Sequence, residues 1–460
     1  MRAALLLLSG NALAALLLLA RNLVVARLLP VADYGVAASF AIVVAAMEMA
    51  SELGLQQQIL QSRRGGEPRF QAALQGFQLL RGALAALALW LMAPQAAAFM
   101  GAPEAAGAYR ALALVPLCKG LVHLDLYRLG RGLRFGPLAL GTALPALGAL
   151  LVGVPLALWL GDWRAMLWSV LAQAVLMVLV SHLLAERRWR VVLDRAAMAE
   201  SLRFGWPLLL NGVLLFGVFN GDRIVVAREL GLEALGLFAM ACTLTLTPAQ
   251  ILRRSAQSFY LPQLAAAQAA GAADRFDRLA AAAAQAHLAM AVALVAAVAA
   301  CGAPLVGLVL GPAYLDMLPY LGALALVQAL WLAKGGPAVV ALARGRTGNA
   351  VASNLLRVAA LPLALWLAAR TGRVEPVIAV GLLAEAGGLM VALWLARRRA
   401  GMRLGPVLRP LGPVLLLMGL AVAGPMTGLA GPAGALALAA LGLTCLLAMP
   451  ELRRHGAAPA

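Results

Sequence analysis

The chain has 460 residues, of which 63% are apolar and only 12% charged, with a formal net charge of +18. A water-soluble domain carries roughly twice that charged fraction and less apolar content, so a soluble catalytic domain of any size is excluded. The apolar runs are long and continuous rather than alternating, which excludes an outer-membrane barrel and leaves a bundle of helices in a lipid bilayer.

A bilayer-spanning helix needs about 20 mainly apolar residues. Fourteen such spans are predicted, near 4–26, 35–61, 71–93, 105–127, 136–160, 164–186, 204–227, 234–252, 281–310, 316–342, 348–369, 375–396, 407–424 and 431–449. Residues 1–20 mimic a signal peptide, but the apolar run continues past Arg21 to Leu29 and reads as a retained first helix. The third span starts amphipathic, with Gln71, Gln75, Gln78 and Arg81. The basic stretch 187–203 reads as a linker, which gives a six-helix lobe at 1–195, a second at 196–400, and a helix hairpin with a tail at 401–460.

The basic excess is concentrated in short clusters between the apolar runs. Nucleic-acid binding needs a solvated basic face, whereas loop cations hold helix ends in the cytoplasm. With the N-terminus placed inside, 25 arginines fall in cytoplasmic segments and 6 on the opposite side. That asymmetry predicts an even number of spans with both termini cytoplasmic. The cysteines Cys118, Cys242, Cys301 and Cys445 are isolated in apolar surroundings and read as small packing residues. His123, His182, His287 and His455 are equally scattered, so no metal site and no cofactor are expected. GRGLRFG at 130–136 misses the dinucleotide-binding spacing and reads as a basic inner loop.

Two segments repeat. VVAR occurs at 24–27 and again at 225–228, an offset of 201, and the same offset pairs Leu29 with Leu230 and Gly35 with Gly236. Six spans separate the copies, so they share an orientation, as in parallel repeats about an axis along the membrane normal. Two-lobed membrane proteins of this kind commonly hold substrate in a central cavity.

Charges inside the spans identify candidate site residues. The cations are Arg21, Arg81, Lys119, Arg223, Lys334 and Arg357; the carboxylates are Glu48, Glu52, Asp125, Asp222 and Glu385. Each costs about 2.5–3.5 kcal/mol at a helix centre if it faces lipid, so most must pair, snorkel or line a wet cavity. Glu48, Glu52 and Gln56 recur every fourth residue, as do Lys119 and His123, while Asn354 and Arg357 lie three apart. Such spacing serves either a cavity or a polar seam between helices. Asp125 and Glu52, near helix ends, are placed to snorkel. The repeat sets Asp222 opposite Arg21 at equal depth, which predicts an ion pair between equivalent helices.

These residues also carry a resemblance. ARLLPVADYGVAASFAIV (26–43) followed by SELGLQQQILQ (51–61) resembles the start of the Wzx-type polysaccharide flippases, with Pro30 in place of a usual Gly and Glu52 where Asp is common. It continues through DRIVVARELGLEALGLFAMA (222–241), SFYLPQLAA (258–266), GPAYLDMLPYLGALAL (311–326) and ARGRTGNAVASNLLR (343–357), so that it covers roughly residues 10–400. That family belongs with the multidrug/oligosaccharidyl-lipid/polysaccharide exporter superfamily. The resemblance implies two six-helix lobes around a cavity and alternating access in the bacterial inner membrane. It implies a polyprenyl-diphosphate-linked oligosaccharide as substrate, for O-antigen, exopolysaccharide or capsule, with H+ or Na+ coupling and contact with the glycan polymerase machinery.

A diphosphate is an anion that buried Arg and Lys bind well, so the six cations are the substrate-binding candidates. Glu48, Glu52, Asp222 and Glu385 are the ion-coupling or gating candidates. A lipid II flippase and a multidrug exporter of the same superfamily stand as alternatives. So does a membrane glycan polymerase or ligase, although the longest outer loop, near 94–104, is short and no nucleophile–base pair is evident, which points to a protein that is not an enzyme.

Overall fold

The computed structural model describes residues 2–423 and residue 449. Among these residues helix is the only regular secondary structure, with no strand. The fourteenth predicted span, residue 449 apart, lies outside the described residues. Two compact units divide the chain, one ending at Ala239 and the other beginning at Met240.

In the first unit, α1 (Arg2–Leu28), α8 (Gly136–Leu160) and α9 (Arg164–Leu183) pack in series, α8 against both others. Helix α2 (Val31–Met49) is followed by a short α3 (Leu55–Gln61) and then by α4 (Pro68–Phe99). Three short helices complete the set: α5 (Ala106–Ala111), α6 (Leu114–Leu121) and α7 (Asp125–Arg131). The second and fourth predicted spans are therefore not single helices. The second stops at Met49 and restarts after Gly54, whose φ of 65° is the left-handed region that glycine enters without a Cβ penalty. The fourth bends by 44° between Leu121 and Asp125.

Helix α10 (Arg195–Ala269) carries the seventh and eighth predicted spans as one element of 75 residues. At 1.5 Å per residue it would be more than three times the ~30 Å hydrocarbon thickness if straight. It kinks instead at Gly231, where φ 88° and ψ 179° break the helical path. Its N-cap is Asp194, whose carboxylate accepts the backbone N–H groups of Ala196 at 2.9 Å and Ala197 at 3.1 Å. Those bonds hold the Asp194 carboxyl below its ordinary value of 3.8. A depressed folded-state value gives stability that is full above the unfolded value and lost as the pH falls. Asp194→Ala should lower the melting temperature at pH 7, and the difference from wild type should vanish in melts taken well below pH 3.8.

The second unit contains α11 (Ala273–Leu305), α12 (Leu318–Ala333), α13 (Gly335–Ala343), α14 (Gly348–Ala359), α15 (Leu361–Thr371), α16 (Glu375–Ala400) and α17 (Gly405–Ala423). Helix α16 is central, in contact with α12, α13, α14 and α15, and α11 packs on α12, α13 and α17. Large apolar side chains point outward throughout, Trp159 80% and Leu183 82% exposed among them, as expected where the solvent is lipid. Three of the six arginines on the sparser side of the charge count lie over aromatic rings. Arg110 is 5.7 Å from the Trp90 centroid, Arg228 5.6 Å from Phe99 and Arg370 5.2 Å from Trp366. An aromatic ring with a cation above it suits a membrane–water boundary.

Candidate functional site: a polar cleft and a buried ion cluster

Two interrupted helices facing one continuous helix build a polar cleft in the first unit. Where α2 ends, helix carbonyls lose their intrahelical donors and need new ones. Arg81 of α4 supplies one, its Nη1 donating to the Ser51 carbonyl at 2.7 Å. Where α6 ends, Gln78 of α4 plays the same part, donating through Nε2 to the carbonyls of Lys119 and Val122, both at 3.0 Å. Irregular backbone at membrane depth is tolerated only where protein buries it or where it lines a cavity, and here it lines one.

The polar walls of the cleft come from Glu48, Ser51, Glu52, Gln56, Gln78, Arg81, Lys119 and Tyr127. Two cation–carboxylate pairs cross it. The Lys119 ammonium contacts the Glu48 carboxylate directly, and Arg81 Nη1 lies 3.7 Å from Glu52 Oε2. Glu52 also accepts the Gly54 N–H at 3.0 Å, so the restart of the chain at Gly54 fixes where this carboxylate points. All four ionic side chains are partly accessible, Lys119 at 35% and Glu48 at 31%, so the pairs meet solvent within the cleft. An arrangement of cations, carboxylates, amides and hydroxyls can contact a polar headgroup bearing both phosphate and hydroxyls.

The second unit holds a different cluster, closed to solvent. Lys334, at the junction of α12 and α13, places Nζ 2.5 Å from Glu385 Oε2 of α16 and donates to Asn354 Oδ1 of α14 at 3.2 Å. Arg357 of α14 brings Nε to 3.9 Å from Glu385 Oε1. The Lys334 and Glu385 side chains are 3% and 2% exposed. Glycines on α16 make the room: a Cβ at Gly381 would lie 2.0 Å from the Arg357 guanidinium and one at Gly388 3.3 Å from the Lys334 ammonium. Arg253 of α10 donates to the Trp331 carbonyl at 3.0 Å and lies 4.1 Å above that residue's ring.

The structure thus gathers Arg81, Lys119, Glu48 and Glu52 in the cleft, and Lys334, Arg357 and Glu385 in the closed cluster. The other candidates belong to neither. Arg21 is buried and donates to Asn22, Ser169 and Gln173, in the seam between α1 and α9. The Asp222 partner that the repeat suggested is not among these contacts. Asp222 and Arg223 are half-buried on α10.

Three sequence expectations need correction. Asp125 does not snorkel: it is wholly buried and collects Arg128 at 2.5 Å, Gln71 at 3.2 Å and the N–H groups of Glu186 and Arg187 at 2.9 and 3.2 Å. It pins the start of the linker to the α4 and α7 ends. Arg253, which follows the predicted span 234–252 and so counted among the 25 arginines of the cytoplasmic segments, is not in a loop: α10 continues through it as helix and carries it against Trp331. Lys119 and His123 do not share a helix face, because the chain breaks between them; His123 instead meets the Arg187 carbonyl at 3.0 Å and the His182 ring at 5.2 Å between centroids. Ser51 and Tyr127 of the cleft had no sequence signal of their own, since a single hydroxyl in an apolar run is ordinary. Gln78 had one, as part of an amphipathic helix start.

With this geometry in hand, the comparisons with known proteins decide the family. Residues 24–319 match the model of a family described as polysaccharide biosynthesis protein. The chain belongs to that family. Among solved structures, this polysaccharide biosynthesis protein is similar to the lipid II flippase MurJ in its inward closed conformation. The TM-score is 0.76 at 13% identity, over 98% of this chain and 99% of that one. It is also similar to a multidrug resistance MATE family transporter of the MOP superfamily in its inward-facing conformation, with TM-score 0.67 at 16% identity over 84% of this chain and 94% of that one. The outward-facing form of such a transporter matches with TM-score 0.59 at 16% identity over 87% and 94%. No curated protein matches the sequence. Family and fold are what these matches give, and among the described residues ten helices are long and apolar enough to cross a membrane. Among the described residues no three potential ligands are grouped to hold a metal ion.

Proposed function

We propose that this family member moves polyprenyl-diphosphate-linked oligosaccharide repeat units from the cytoplasmic to the periplasmic leaflet of a bacterial inner membrane by alternating access, with both termini cytoplasmic. An ion gradient drives the cycle, and the glycan polymerase machinery receives the product. The observation that carries this reading is the cleft. It sets Lys119 and Arg81 among amides, hydroxyls and carboxylates at two helix breaks within apolar spans. Cations there suit a diphosphate, and the remaining polar walls suit sugar hydroxyls.

The test is transport by the protein reconstituted in liposomes, with a fluorescent polyprenyl-diphosphate oligosaccharide as cargo. Lys119→Ala should cut the rate of transfer by about tenfold or more, the worth of one charge-assisted hydrogen bond. Arg81→Ala should do at least as much, because it also strips the donor from the Ser51 carbonyl. Wild-type protein that moves a cationic drug and leaves the glycolipid in place would overturn the reading in favour of an exporter.

A further inference from the structure

The two ionic pairs of the cleft are not equivalent. When Arg81 leaves Glu52, the Glu52 carboxylate keeps the Gly54 N–H, and Arg81 keeps the Ser51 carbonyl. Glu48 has no such second partner. Among the described residues its side chain meets only the Lys119 ammonium, on the facing helix. The ionic groups lining the cleft are Glu48 from α2, Glu52 from the break after it, Arg81 from α4 and Lys119 from α6; Tyr127 from α7 is the remaining titratable group. The four charges sum to zero.

A diphosphate esterified at both ends carries two negative charges and no ionisation near neutral pH. Placed in a neutral cleft, it competes with the two carboxylates for the two cations. Every anion left over then repels its neighbours in a space that binding dries, and like charge together with desolvation favours the protonated form of a carboxyl.

We propose that Lys119 is exchanged between Glu48 and the substrate: an anionic headgroup takes the ammonium, and the released Glu48 carboxylate takes one proton from water. Substrate binding and protonation of Glu48 are therefore linked. Glu52, which keeps its backbone partner, is not the group exchanged. This rests on the reading that the cleft receives a lipid-linked diphosphate, and it adds the identity of the group that links binding to pH.

The experiment measures binding of farnesyl-diphospho-N-acetylglucosamine to the full-length protein in nanodiscs between pH 5 and 8.5. With both phosphates esterified, any pH dependence belongs to the protein. Wild-type affinity should rise as the pH falls, approaching about tenfold per unit for a single linked proton. Glu48→Gln should bind more tightly than wild type at pH 8 and show a flat profile, while Glu52→Gln keeps the wild-type slope. Calorimetry of the wild type in two buffers of different ionisation enthalpy reads the same proton without any substitution, and should show uptake approaching one per ligand. No binding by the wild type at any pH overturns the assignment of the cleft and the exchange with it. Wild-type binding that is flat with pH, or a slope that survives in Glu48→Gln, overturns the exchange alone.

Discussion

Glu385→Ala should lower the melting temperature of the detergent-solubilised protein more than any single substitution in the cleft. Glu385 is the carboxylate of the closed cluster, with Lys334 at 2.5 Å and Arg357 at 3.9 Å, and Arg253 acts on the same charge. Removing it leaves buried cations facing one another. Breaking a buried ion pair from one side costs about 3–5 kcal/mol, whereas a half-exposed pair such as Lys119–Glu48 contributes about 1 kcal/mol or less. The double variant Lys334→Met/Glu385→Gln should recover part of the loss, because it removes the stranded ammonium and keeps the volume. Glu385→Gln alone separates charge from shape: it should destabilise almost as much as the alanine variant if charge governs the cluster. A melt for Glu385→Ala within 1 °C of wild type would mean that the cluster is not held by this carboxylate.

Much of the fold is legible in the sequence, because the hydropathy of a span is set by the bilayer itself. Each predicted span from the first to the thirteenth contains helix in the structure. The helix breaks are less legible for the same reason. Residues 35–61 and 105–127 are apolar enough to read as unbroken, since part of the interrupted backbone is satisfied by side chains of α4, distant in sequence from either break. Gly54 was the visible sign, in the S-E-L-G element, but a glycine alone does not distinguish a break from close packing. The cleft candidates Glu48, Glu52, Arg81 and Lys119 were legible as residues, because charge within a span is costly and therefore conspicuous. Their partners were not, because Lys119 meets Glu48 across 71 positions of sequence. The same limit explains Arg253, whose place after an apolar run resembled a loop until α10 proved to run on to Ala269.

The duplicated motif gives the second large effect. Gly35 and Gly236, matched by the 201-residue offset, meet in the first unit. A Cβ at Gly35 would lie 1.8 Å from the Leu232 carbonyl oxygen, and one at Gly236 would lie 2.3 Å from the Val31 oxygen and 3.2 Å from the Gly35 nitrogen. The offset that aligns the motifs carries Val31 onto Leu232, so each contact is the image of the other. Helices in lipid associate through such close backbone approach, having no hydrophobic drive toward each other. A methyl group at either glycine must push the two backbones apart, at a cost of about 1–3 kcal/mol. Gly35→Ala and Gly236→Ala should each lower the melting temperature and the transport rate, and Gly35→Val should abolish folded yield. Gly107→Ala, where the added atom meets nothing within 4 Å, should leave melting and transport unchanged. The decisive variant is the double Gly35→Ala/Gly236→Ala. If one crossing holds both glycines, the first methyl already separates the backbones and the second adds little, so the losses are less than additive. Full additivity in the melts would show that the two positions do not share a crossing, and the symmetry of the contact would then have no energetic content.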